Sequence, residues 1–132
     1  MKKLSVTMVV VCAVGIALAA TLAWANDGVE ANVPFAFIVD GNKTLPEGRY
    51  AIKAEGPDEM PVTIRNVKTG KEYVLLVVTR LAQFNTVEPA MVFDKTSDGT
   101  YFLSEVHIPG IDGFAFQGAP EKHTHVKVTP KP

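Results

Sequence analysis

His123 and His125 are the residues whose type and spacing come closest to a recognisable chemistry. Side chains along an extended strand repeat every second residue, so His123-x-His125 would put both imidazoles on one face. Neutral imidazole is a good ligand for Zn²⁺ or Cu²⁺, and Glu121 or His107 could supply a third donor. The plainer alternative is a polar strand near a chain end with its histidines facing water. Nucleophilic catalysis is poorly supplied. It needs an activated Ser, Cys or Thr beside a base. Beyond residue 25 there is no cysteine, and Ser97 and Ser104 are the only serines, neither within a G-x-S-x-G turn. Paired carboxylates could be drawn from 14 acidic residues, but Asp40, Glu47, Asp58, Asp98 and Asp112 fall in turn-forming stretches where solvation accounts for them. No glycine-rich phosphate loop leads into a helix. The expectation is a protein without a catalytic constellation. Sugar-binding sandwiches usually display tryptophan, and Trp24 is the only one, so Tyr73, Tyr101, Phe84 and Phe114 read as packing residues.

The elements that would position these side chains begin after a distinct N-terminal stretch. Lys2 and Lys3 precede an uncharged run, 4–22, and Ala23-Trp24-Ala25 forms an A-x-A pattern before charge returns at Asp27. This is the plan of a signal peptide, helical over 1–25 and cleaved after about Ala25, which would send the protein to the periplasm or the exterior. A retained membrane anchor is the alternative, because the apolar run is about as long as a bilayer-spanning helix. Residues 26–132 then form one domain of 107 residues. Without Lys2 and Lys3 it carries 11 basic and 14 acidic residues, net −3, which gives nucleic acid no electrostatic reason to bind. No further run is long enough to span a membrane. Cys12, the single cysteine, falls in the leader, so an exported domain must rely on its core rather than on disulfides. About a hundred residues suffice for one core.

Hydrophobic alternation sets the fold class. The stretch VPFAFIV places Val33, Phe35, Phe37 and Val39 on one face, and RYAIKA places Tyr50 and Ile52 together. With the turn residues Asp40-Gly41-Asn42 and Pro46-Glu47-Gly48 between them, 33–54 reads as a long-looped β-hairpin. Residues 26–31 read as a polar lead-in. Residues 61–67 form a strand with Val62 and Ile64 on one face. The run 72–81 (EYVLLVVTRL) lacks alternation at its centre and reads as a central strand covered on both faces. Residues 90–94, with Met91 and Phe93 inward, form a hairpin with 100–108 through Asp98-Gly99. In the second strand Phe102, Val106 and Ile108 are expected to face the core, opposite Tyr101, Leu103, Glu105 and His107. Residues 112–116 form a short strand or strap, 123–128 a last strand, and 129–132 a proline-containing tail. The fold expected is all-β: a single antiparallel sandwich or small barrel of seven to eight strands.

The segments VPFAFIV, LPEGRYAIK, EPAMVF and TYFLSEVHIPG, in that order, resemble a group of small exported bacterial proteins without assigned activity. That resemblance implies export, an all-β fold and no catalytic residues to transfer. Members of the group often end in an arginine-rich tail, whereas this chain ends EKHTHVKVTPKP. LPEGRYAIKAEG is also similar to the turn-strand of transthyretin-like and carboxypeptidase-regulatory-like modules. Three functional readings remain, an uncharacterised enzyme being the third of them. One is a non-enzymatic exported binding, structural or envelope-associated module, whose partner would be a protein or envelope component meeting an open sheet edge. Another is a periplasmic metal-binding protein using His123, His125 and His107, with Zn or Cu as the ion.

Overall fold

The structure, a computed structural model, describes residues 28–55, 60–82, 88–111 and 113–130. The expected signal peptide, with Cys12 and Trp24, lies outside them, as does most of the irregular stretch expected at 82–89. The described residues hold eleven strands and no helix. None of them forms a helix long and apolar enough to cross a membrane.

Two sheets pack face to face. The smaller contains β1 (Gly28–Val33), β4 (Gly48–Ala54), β5 (Val62–Asn66) and β6 (Glu72–Leu75) in the order β1-β4-β5-β6. The larger follows the order β11-β8-β9-β10-β7, from β7 (Thr79–Leu81), β8 (Ala90–Thr96), β9 (Tyr101–His107), β10 (Gly113–Ala115) and β11 (His123–Val128). The short strands β2 (Phe37–Val39) and β3 (Lys43–Leu45) pair with each other, and β2 joins β9 through Ile38 and Phe102, a parallel contact among otherwise antiparallel ladders. Val29, Val33, Tyr50, Ile52, Val62, Ile64 and Leu75 face Met91, Phe93, Leu103, Val106 and Phe114 in the core. The all-β sandwich expected from alternation is the fold.

The strand count exceeds seven or eight because several apolar runs cross from one sheet to the other. Val33 ends β1 in the smaller sheet and Phe37 begins β2 in the larger, with Pro34 between them. Val33, Phe37 and Val39 are all buried, since each sheet turns the same parity of residues toward the shared core. The long hairpin over 33–54 is therefore corrected: β4 pairs with β1, and β2 pairs with β3 inside the supposed loop. Asp40-Gly41 makes that tight turn, with φ of 53° and 75°, the left-handed pair an Asp-Gly hairpin favours. The lead-in at 26–31 is corrected as well, because Val29 and Ala31 are buried in β1. Its polar Glu30 points outward, where Arg49 pairs with it. Tyr50 anchors the next turn by donating its hydroxyl to the Pro46 carbonyl at 2.6 Å, and burial pushes its phenol above the ordinary value.

The run 72–81 is not a doubly covered central strand. It is split between β6 and β7, each at the edge of its sheet, and Val74, Leu76 and Val78 are exposed. In β9 the expected faces change phase part-way. Val92 lies opposite Glu105 while Phe93 lies opposite Leu103, leaving Ser104 as the extra residue of a bulge. Leu103 therefore joins Val106 and Ile108 in the core. The Asp98-Gly99 turn forms as expected. Hydrogen bonds from Thr96 and Thr100 hold the Asp98 carboxyl below its ordinary value, so its support for the turn is present at neutral pH and fades as acid protonates it.

Candidate metal centre

The outer face of the larger sheet carries the candidate chemistry. Met91 and Phe93 of β8 point into the core, so Asp94 points outward. In the β11–β8 ladder His125 lies directly opposite Asp94 and His123 lies opposite Thr96, one step along on the same face. His123 and His125 are thus brought together, as their spacing predicts, and the third member of the group is Asp94. Asp94 Oδ1 lies 3.4 Å from His123 Nε2 and 3.0 Å from His125 Nδ1.

Glu121 contributes through its backbone. Its carbonyl oxygen lies 2.8 Å from His123 Nδ1. A carbonyl can only accept, so Nδ1 carries the proton and the neutral ring presents the Nε2 lone pair toward Asp94. His107 is elsewhere: it lies opposite Ala90 on β9, and its Nε2 is 3.5 Å from Glu105. Four residues along β8 separate Ala90 from Asp94, roughly 13 Å of extended chain. The metal set expected from sequence keeps His123 and His125, and the structure does not bring His107 to them.

Asp94 is only 4% exposed because the segment 116–119 crosses over it. Phe116 N donates to the Ser104 carbonyl at 2.8 Å, and Ala119 N donates to Asp94 Oδ2 at 3.0 Å. Gly118 permits this approach, since a Cβ there would lie 2.1 Å from Oδ2. Gly118→Ala should lift the strap and cost about 1–3 kcal/mol, measured as a lowered denaturation midpoint. A midpoint unchanged within error would show that the strap is not seated on Asp94.

Oδ2 is thus satisfied, whereas Oδ1 is buried without a well-aligned hydrogen bond, beside His125 Nδ1 and His123 Nε2. A buried carboxylate oxygen left without a good hydrogen bond is costly. A neutral His123 does not relieve it, because lone pair meets lone pair, and His125 Nδ1 relieves it only in the tautomer that carries the proton there, through a poorly aligned contact. A cation between them would relieve it. For Zn²⁺ bonds of about 2.0–2.2 Å, two ligand atoms of a tetrahedron stand about 3.3–3.6 Å apart. The 3.0 and 3.4 Å separations around Oδ1 are close to that edge length, and the three ligand atoms all lie within 4.8 Å of one another. Three protein ligands leave a fourth position, and the side with room for it is the solvent side, where the His125 side chain is 65% exposed.

No family model, curated protein or solved structure matches this chain. The site therefore stands on its geometry. Asp94 carries a partial sequence signal, since alternation through Met91 and Phe93 places it on the outer face. Its proximity to His123 depends on which strand pairs with β8.

Proposed function

We propose that this protein is an exported, non-enzymatic β-sandwich that binds one divalent transition-metal ion, Zn²⁺ or Cu²⁺. The ligands are Asp94 Oδ1, His123 Nε2 and His125 Nδ1. The observation that supports this reading most is the buried Oδ1, which has no well-aligned hydrogen bond and faces two imidazole nitrogens at 3.0 and 3.4 Å. The Glu121 carbonyl supports it by holding His123 in the tautomer a metal needs. Export rests on the plan of residues 1–25, and the resemblance to small exported bacterial proteins agrees with it. With three ligands and an open side, the site fits uptake or exchange of an ion better than a closed structural role.

Titration with Zn²⁺ and Cu²⁺, followed by thermal melting, tests the reading. An ion at a hundredfold excess over its Kd should add about 2.7 kcal/mol, which raises Tm by roughly 10–20 °C for a domain of this size. The shift should shrink on acidification, as protons compete for the imidazoles. His123→Ala and His125→Ala should each abolish it, and His107→Ala should leave it intact. If neither ion shifts Tm, or if both site variants shift as the parent does, the metal reading is wrong.

A further inference from the structure

The strap over Asp94 determines how many oxygens that residue can offer an ion. A carboxylate binds a metal through one oxygen or through both, and the choice changes the coordination number. Both imidazoles approach Oδ1, His125 Nδ1 at 3.0 Å and His123 Nε2 at 3.4 Å. Oδ2 is engaged by the strap instead. Ala119 N donates to it at 3.0 Å, and the Gly118 backbone lies so close that a Cβ there would stand 2.1 Å from it.

The strap is anchored at its other end, so this division between the two oxygens is built into the fold. Phe116 is buried in the core, and its N–H donates to the Ser104 carbonyl at 2.8 Å. The Ser104 hydroxyl donates to the Val92 carbonyl at 3.1 Å, which ties that anchor to β8, the strand that carries Asp94. Gln117 lies against the β2–β3 turn, where a Cβ on Gly41 would come within 2.8 Å of its side chain. Turning Oδ2 toward the histidines would break the Ala119 hydrogen bond and lift this segment.

Building on the metal-binding reading, we propose that the Ala119 N–H and the Gly118 backbone hold Asp94 to one-oxygen coordination and so restrict the site to ions content with four ligands. Zn²⁺ accepts three protein ligands and a water. Ca²⁺, Mg²⁺ and Mn²⁺ take six or more ligands, chiefly oxygens, and a second carboxylate oxygen would favour them. Gly118 and Ala119 are positioning residues, because they act on the ion through Asp94.

Co²⁺ is a visible probe of this arrangement. A tetrahedral site has no inversion centre, so Co²⁺ absorbs strongly there and weakly in a six-coordinate site. The parent loaded with Co²⁺ should show the strong bands of a four-coordinate ion. Gly118→Ala should weaken them as Oδ2 joins the ion. In competition titrations its preference for Zn²⁺ over Mn²⁺ should fall by about 10–100-fold, the range for losing a group that orients a ligand. Ala119→Pro, which removes the N–H itself, should act in the same way. Val62→Ala, a truncation in the core of the smaller sheet, should change neither readout, which separates positioning from a general loss of stability. The proposal is overturned by a parent with the weak bands of a six-coordinate ion. It is also overturned if both strap variants keep the parent's bands and its Zn²⁺ preference. The parent's own spectrum decides even where a variant does not fold. A parent that binds neither Co²⁺ nor Zn²⁺ overturns the metal reading and this inference with it, whereas a parent that binds Zn²⁺ with strap variants that change nothing overturns only the role of the strap.

Discussion

Replacing Asp94 with asparagine is expected to eliminate the metal-induced rise in Tm while leaving the metal-free protein at least as stable. The two halves of this result have separate causes. Removing a directly coordinating carboxylate should weaken the ion by more than the 10–100-fold typical of groups that only orient ligands. The metal-free protein responds differently. The asparagine oxygen can still accept the Ala119 N–H, which Asp94 Oδ2 now accepts at 3.0 Å. Its amide nitrogen then takes the place of Oδ1, which has no well-aligned hydrogen bond, and offers one hydrogen to His123 Nε2 and one to His125 Nδ1. Asp94→Ala should behave otherwise. It loses the metal response as well, but strands the Ala119 N–H beneath the strap, at a cost of about 1–3 kcal/mol. Calorimetric titration with Zn²⁺ on the parent and both variants, paired with melts, reads all of these quantities. A Tm shift that survives Asp94→Asn would mean that the ion binds elsewhere.

Local patterning made the all-β class readable, because period-two burial needs no knowledge of strand order. Tyr50 and Ile52, Val62 and Ile64, and Met91 and Phe93 are buried as their alternation requires. What stayed hidden was where a run leaves one sheet for the other. Alternation continues unbroken through Pro34, since Val33 and Phe37 face the same core from opposite sheets. The run 72–81 misled for a related reason. Its apolarity matched that of a central strand, but half of it faces solvent at two sheet edges. The bulge at Ser104 had no sequence marker, and it moved Leu103 into the core. Asp40-Gly41, by contrast, was a legible hairpin signal that the length of the surrounding loop obscured.

The candidate site was half legible. His-x-His on a strand fixes a common face whatever the fold, and His123 and His125 share one. Their third partner lies 29 residues before His123 in the chain, on a strand chosen by tertiary packing. His107 matched Asp94 as a candidate ligand by residue type alone, but type does not determine which end of a ladder a side chain occupies. The β11–β8 register decides that, and it brings Asp94 to the pair.

Phe37→Ala should be the most damaging single change to the fold, at about 3–5 kcal/mol, the range for truncating a buried aromatic. Phe37 is 1% exposed, and its ring meets Tyr50 at 5.0 Å and Phe93 at 5.2 Å, both edge-on. Tyr50 belongs to the smaller sheet and Phe93 to the larger, so one side chain bridges the two layers. Its own strand adds little other restraint: β2 has three residues, paired with β3 and with β9 at Ile38 alone. Packing of Phe37, more than backbone pairing, therefore holds the 33–45 crossover against the core. A Tm lower by more than about 10 °C is expected from that loss. Phe35→Ala is the comparison. Phe35 is only partly buried and stacks on Tyr101 at 3.7 Å, so its removal should cost distinctly less. Equal losses for the two, or a loss under about 1 kcal/mol for Phe37→Ala, would mean that the crossover faces the other way and that Phe37 is not the bridge between the sheets.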